Sequence, residues 1–155
     1  MAQPRTVALT FDDLPAVGAM APAEAERCNR QILHAVKKHA APATGFVTER
    51  RGRELGAAVF ERILEAWVRE GNDLGNHTYS HADLNSLSSA QFEEEVTRGE
   101  TTLGKVLANH GRKPRHFRFP YNHTGDTQER LAAVNALLQR RGYEIATCTI
   151  DNSDA

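Results

Sequence analysis

The stretch "TVALTFDDLP", residues 6–15, decides how the chain is read. Arg5 to Phe11 is apolar or β-branched and is bounded by Pro4 and by Asp12-Asp13-Leu14-Pro15, which predicts a buried strand. Two adjacent carboxylates close it. Consecutive strand residues point to opposite faces, so two acids at a strand end are expected to take different roles. One carboxylate can bind a cation while the other takes a proton from water activated by that cation. A solvated turn is the competing reading of the same pair.

Working outward, Ala23 to His39 carries helix formers with Ile32, Leu33 and Val36 on one stripe. "ATGFVT", residues 43–48, reads as a second strand. Glu54 to Glu70 reads as one amphipathic helix, with Leu55, Val59, Ile63 and Trp67 every fourth residue and Gly71 as its C-terminal cap. "NDLGNH", residues 72–77, is a short third strand running into a loop. Ser88 with Gln91 three residues later forms a capping box. Phe92, Val96, Gly99, Leu103 and Val106 mark the inner face of the helix that follows. Arg115 to Phe119 is a fourth strand, Asp126 caps a helix to about Arg141 with Glu129 at its third position, and Tyr143 to Ile150 is a fifth strand. Strands alternate with helices throughout. That order predicts an α/β domain with a parallel sheet and crossover helices, open or wound into a barrel, with functional groups at the carboxyl ends of the strands.

Composition excludes several classes. The chain has 155 residues, 40% hydrophobic and 25% charged, which fits one globular domain rather than disorder. The net charge of -1 is spread along the chain and leaves no basic face for nucleic acid. No apolar run reaches bilayer length, so no transmembrane segment is expected. No signal peptide precedes the first strand, but a mature protein whose leader was removed would look the same, so localisation is open, as is oligomeric state. Cys28 and Cys148 have no metal or redox spacing and read as free, buried thiols.

The expected strand ends carry the chemistry. Strand one ends in Asp12-Asp13; strand three in "NHTYSH", with His77 and His81; strand four in "RFPYNH", with Arg118, Pro120, Tyr121 and His123; strand five in "DNSD", with Asp151 and Asp154. His77 and His81 stand four apart, and on a helical turn both imidazoles would face one ion. Two imidazoles with a carboxylate suit zinc or a similar divalent metal and leave positions open for water and substrate. Taken singly, the pair is equally a metal-free surface pair, Arg118 an edge cap and Asp151 a turn residue. Arg118 near an acid would favour its charged, basic form.

Together, "TFDD" (Thr10 to Asp13), "HTYSH" (His77 to His81) and "RFPY" (Arg118 to Tyr121), with a looser "DNSD" (Asp151 to Asp154), resemble the polysaccharide deacetylase family, carbohydrate esterase family 4. The resemblance implies a distorted (β/α) barrel that hydrolyses acetyl groups, usually carbon–nitrogen bonds of N-acetylated sugars in chitin or peptidoglycan. Some relatives act on O-acetyl groups or cyclic amides. It implies a divalent metal: zinc, or else cobalt, nickel or manganese. Asp13, His77 and His81 then match the metal ligands, Asp12 the catalytic base and Arg118 the arginine that holds it. Tyr121 matches the position whose backbone amide binds the oxyanion. The family's general acid is a histidine on a later strand, so residues 1–155 are expected to be the N-terminal part of the catalytic domain, truncated after the fifth strand. His123 is a candidate substitute acid. Such a piece is expected to be marginally folded or self-associating, and a metal- or glycan-binding role without catalysis stays open. A phosphate-accepting receiver module is also a five-stranded β-α repeat with an acidic pair after strand one, but needs an acid and a lysine where this chain has Gly75-Asn76-His77 and Asp151.

Overall fold

A computed structural model describes residues 6–150. Five strands run in parallel in the sequential order β1 (Leu9–Leu14), β2 (Ala43–Val47), β3 (Asp73–Asn76), β4 (His116–Phe117), β5 (Glu144–Ile145). The helices are α1 (Pro22–Lys38), α2 (Glu49–Glu54), α3 (Ala57–Arg69), α4 (Ser89–Gly99), α5 (Thr101–Asn109) and α6 (Gln128–Arg140). Sequential parallel order with crossovers of one hand puts every helix on the same face of the sheet. The other face is then the inner face of a barrel-type sheet. The side chains alternate accordingly. Ala43 and Val47 join Leu74, Trp67, Leu64 and Phe60 beneath α1, α3 and α5. Phe117 joins Phe92, Val96 and Leu138 beneath α4 and α6. Each such fully buried side chain stabilises by roughly 1.5–3 kcal/mol.

Thr10, Phe46, Gly75 and Arg118 take the inner face. The Arg118 guanidinium lies 4.4 Å from the Phe46 ring centre and bonds the Thr10 hydroxyl at 2.7 Å. In a flat sheet β4 and β1 would be about 14 Å apart, three strand spacings, which is beyond the reach of an arginine. The sheet is therefore curled, as the barrel reading requires. Gly75 is needed inside this curl, because a Cβ there would collide with the Phe46 ring.

Several boundaries differ from the sequence reading. The first strand runs on through Asp12-Asp13 to Leu14, and it is not buried throughout: Leu9 is 42% exposed, since among the described residues β1 pairs only with β2. The helix expected over 54–70 runs from Ala57 to Arg69 as α3, and a separate short helix that the sequence reading lacks, α2, precedes it and ends at Glu54, the two being split where Gly56 takes φ 95°. The helix opened by the Ser88 capping box breaks at Glu100. There the buried Glu49 carboxylate takes the hydrogen bonds of the Thr102 N–H (3.0 Å) and hydroxyl (2.8 Å), so a distant acid caps α5. The cap of α6 is Thr127, which accepts from the Arg130 amide, and not Asp126, which pairs with the Arg130 side chain. The fifth strand is only Glu144–Ile145. Both cysteines are free, but Cys148 is exposed and Cys28 half-buried. No helix among the described residues is long and apolar enough to cross a membrane.

Candidate active site

The carboxyl ends of β1, β3 and β4 meet in one polar cluster. The β1–β2 register shifts between Phe11 and Leu14, and Asp13 takes φ 58°. This bulge breaks the expected alternation and turns both acids to the same mouth. They still have separate partners. Asp12 Oδ1 accepts from Arg118 at 2.8 Å. Asp13 Oδ1 accepts from the Thr48 hydroxyl at 3.3 Å and lies 3.6 Å from His81 Nε2 and 4.0 Å from Arg51 Nε.

His77 and His81 do not share a helical turn. They sit on a loop in which Thr78 (φ 71°) and His81 (φ 60°) are left-handed. The loop is over-determined by its contacts. The Thr78 N–H donates to Asn76 Oδ1 (2.8 Å), and the His81 N–H to Thr78 Oγ1 (3.1 Å). Glu95 on α4 accepts from the Ser80 N–H and hydroxyl (2.8 and 2.9 Å). The amides that open α2 point at the loop: the Arg50 N–H donates to the Tyr79 carbonyl at 2.8 Å and the Glu49 N–H to the Thr78 carbonyl at 3.4 Å. A helix N-terminus thus supplies free donors to hold the loop.

His77 Nδ1 lies 2.9 Å from the Arg118 carbonyl. A carbonyl only accepts, so Nδ1 carries the proton and the Nε2 lone pair faces the cluster. Burial lowers the His77 pKa from its ordinary value, against the opposing effect of that hydrogen bond. The neutral ring is the form that binds a metal. Ligand atoms of Asp13, His77 and His81 lie within 4.8 Å of one another. Tetrahedral zinc ligands at their usual bond lengths lie about 3.4 Å apart, so a small contraction would seat an ion. Two imidazoles and one carboxylate are a fitting donor set for zinc.

Arg118 is buried and its charge is well compensated: its Nε donates to the Ala146 carbonyl (3.1 Å), and one terminal nitrogen serves both Thr10 and Asp12. Pro120 is buried and opens a short 3-10 turn, Pro120–Asn122. Tyr121 sits in this turn with φ 57°; the residue is 60% exposed and its ring lies 4.7 Å from the His81 ring. His123 is on the rim, where Nδ1 bonds Asp83 at 2.9 Å. Six expected residues (Asp12, Asp13, His77, His81, Arg118, Tyr121) are thus brought together, with Pro120 behind them. Asp151 and Asp154 lie outside the described residues. Thr10, Thr48, Asn76 and Glu95 were not anticipated. Thr48, the polar residue that follows β2, carried a strand-end signal, and Thr10 stands inside β1 in the quoted "TFDD", but nothing local marks Asn76 or Glu95.

A curled parallel sheet with a polar site at its carboxyl ends defines a barrel-type α/β protein. The chain belongs to the polysaccharide deacetylase family, whose model matches residues 2–147. It is 30% identical over 152 residues to a chitin deacetylase of Pestalotiopsis sp, covering 97% of this chain and 44% of that protein. It is 29% identical over 148 residues to a peptidoglycan-N-acetylglucosamine deacetylase of Bacillus cereus, covering 96% and 46%. Among solved structures it is similar to the chitin deacetylase of the fungal pathogen Colletotrichum lindemuthianum, with TM-score 0.70, 26% identity, and coverage of 95% of this chain and 57% of that one. The chain therefore spans about half the length of these relatives.

Proposed function

We propose that residues 1–155 form the N-terminal portion of a deacetylase catalytic domain that removes acetyl groups from N-acetylated glycans such as chitin or peptidoglycan. The observation that carries this reading is the pairing of Asp13, His77 and His81 around one point with an Asp12–Arg118 ion pair beside it. Asp13, His77 through Nε2, and His81 would hold a divalent cation, with zinc first in order and cobalt, nickel or manganese as alternatives. Such a cation supplies Lewis acidity and lowers the pKa of water. Asp12 takes the proton of the attacking water on the carboxylate that the Arg118 guanidinium holds by a 2.8 Å hydrogen bond. The Tyr121 N–H, second in its 3-10 turn, lacks a carbonyl partner within the turn and can donate to the oxyanion.

The test is zinc binding by calorimetry and acetate release from an acetylated chitin oligomer. Wild type binds one zinc per chain. Asp13→Ala abolishes binding, whereas Asp12→Asn keeps the metal and, in a protein that turns over, lowers kcat at least 100-fold, the low end of general-base contributions. Equal loss of zinc in both variants would overturn the division of roles between the two acids.

A further inference from the structure

The loop bearing His77 and His81 is tied to the far side of the molecule through one buried amide. Asn76 is fully buried and its side chain is fully used. Oδ1 accepts from the Thr78 N–H, and Nδ2 donates to the Val96 carbonyl (2.9 Å) and to the Tyr143 hydroxyl (2.9 Å). Tyr143 precedes β5 and is itself buried. Its hydroxyl donates to Glu100 Oε1 at 2.9 Å. Glu100, at the break between α4 and α5, is gripped by Arg141 through two hydrogen bonds of 3.2 and 3.1 Å. The chain of contacts Arg141–Glu100–Tyr143–Asn76–Thr78 is continuous.

We propose that Tyr143 and Asn76 are positioning residues for the metal ligands: they fix the left-handed Thr78 and thereby aim His77 and His81 at Asp13. This rests on the reading of Asp13, His77 and His81 as a metal site. The argument is one of satisfied valence. Thr78 is β-branched, and φ 71° is unfavourable for it. The conformation persists because its N–H has one acceptor, Asn76 Oδ1. That amide is oriented because its other end has two acceptors to serve, the Val96 carbonyl and the phenol oxygen. The phenol oxygen can accept only while its proton is directed elsewhere, and Glu100 directs it. Burial holds the Tyr143 phenol far above its ordinary range, so the proton stays in place at any working pH.

Removing the hydroxyl alone leaves one Asn76 proton unpaired and frees the amide to turn. Outer partners of this kind typically change metal affinity 10–100-fold, and Tyr143, one step further out, is assigned about tenfold. The experiment compares zinc Kd by calorimetry and melting temperature for wild type, Tyr143→Phe, Asn76→Asp and Val134→Ala. Val134 is buried in the same core cluster as Tyr143 but has no polar side-chain atom and so takes no part in this chain of hydrogen bonds. The expected result is zinc binding about tenfold weaker for Tyr143→Phe and weaker still for Asn76→Asp. Val134→Ala should lose thermal stability while keeping the wild-type Kd. Wild-type Kd in Tyr143→Phe, or an equal loss in Val134→Ala, overturns the proposal. If wild type itself takes up no zinc, the metal reading fails first, and the proposal with it.

Discussion

Gly99 should not tolerate a methyl group, although it is the last residue of a helix, where alanine is ordinarily favoured. A Cβ at Gly99 would lie 2.6 Å from Asn76 Oδ1 and 2.9 Å from the Thr78 carbonyl carbon, against 3.4 Å for an ordinary contact. Alanine gains at most about 1 kcal/mol over glycine in a helix, and less near its end. Overpacking a close contact costs about 1–3 kcal/mol. Weakening the Asn76–Thr78 hydrogen bond costs about 1 kcal/mol more. The clash wins, and Gly99→Ala is expected to destabilise by about 1–4 kcal/mol. Gly104 in α5 is the control, because a Cβ there meets nothing within 4 Å. Gly104→Ala should stabilise by roughly 0.5–1 kcal/mol. Urea unfolding followed by the fluorescence of Trp67, the single tryptophan and fully buried, reads both. The clash pushes against the His77–His81 loop, so Gly99→Ala should also weaken zinc binding while Gly104→Ala leaves it unchanged. If Gly99→Ala matches or exceeds wild-type stability, the close approach of α4 to the loop is wrong.

Trp67→Phe removes the indole N–H that serves Asn29 Oδ1 at 2.8 Å, leaving a buried acceptor unpaired; a loss of about 1–3 kcal/mol in urea unfolding, followed by circular dichroism, is expected. Glu49→Ala strips the cap from α5 and the 2.9 Å bond from Arg53, and should lower stability by about 2 kcal/mol. Glu65 has its pKa lowered from 4.5, mainly by its hydrogen bond with His110. The folded state then binds fewer protons than the unfolded one, so this stabilisation is present above pH 4.5 and lost as pH falls through the lowered value. Glu65→Gln should therefore melt below wild type at pH 6, with the gap closing in strong acid; a gap that persists there would refute the assignment.

The ligating residues were legible because they are named by residue type at strand ends, and the topology carries strand ends together whatever their local geometry. His77 and His81 illustrate this. Their spacing would converge on one ion from a helical turn; the structure places them on a loop of left-handed residues, and they converge all the same. What was not legible was the backbone that does the converging. Alternation assigned Asp12 and Asp13 to opposite faces, and it failed because the register slips between Phe11 and Leu14. Helix periodicity ran through Glu100 because apolar spacing on both sides of that break stays in phase, and it took in Leu55, which caps α2, because Leu55 falls in step with Val59 and Ile63 of α3. Glu100 gives no local warning, since its break is stabilised by Glu49, 53 residues from the Thr102 it caps.

The non-glycine residues with positive φ sharpen the point. Among the described residues they are Asp13, Ala40, Thr78, His81, Tyr121 and Asn122. All but Ala40 lie in the three segments that build the site: the bulged end of β1, the loop after β3 and the turn after β4. Left-handed backbone at such residues is unfavourable and persists only where surrounding contacts over-determine it. Those contacts are the long-range ones: Arg118 to Thr10 across 108 residues and Asn76 to Tyr143 across 67. A local reading of sequence weighs each residue against its neighbours, and at these positions the neighbours favour another conformation. The site is therefore formed last in any hierarchy of contacts, after β1, β3, β4 and the start of β5 are in place. That order has a measurable consequence. Loss of a distant tie should loosen the ligand loop well before it unfolds the sheet, so metal affinity should report damage to Asn76, Tyr143 or Gly99 more sensitively than melting temperature does.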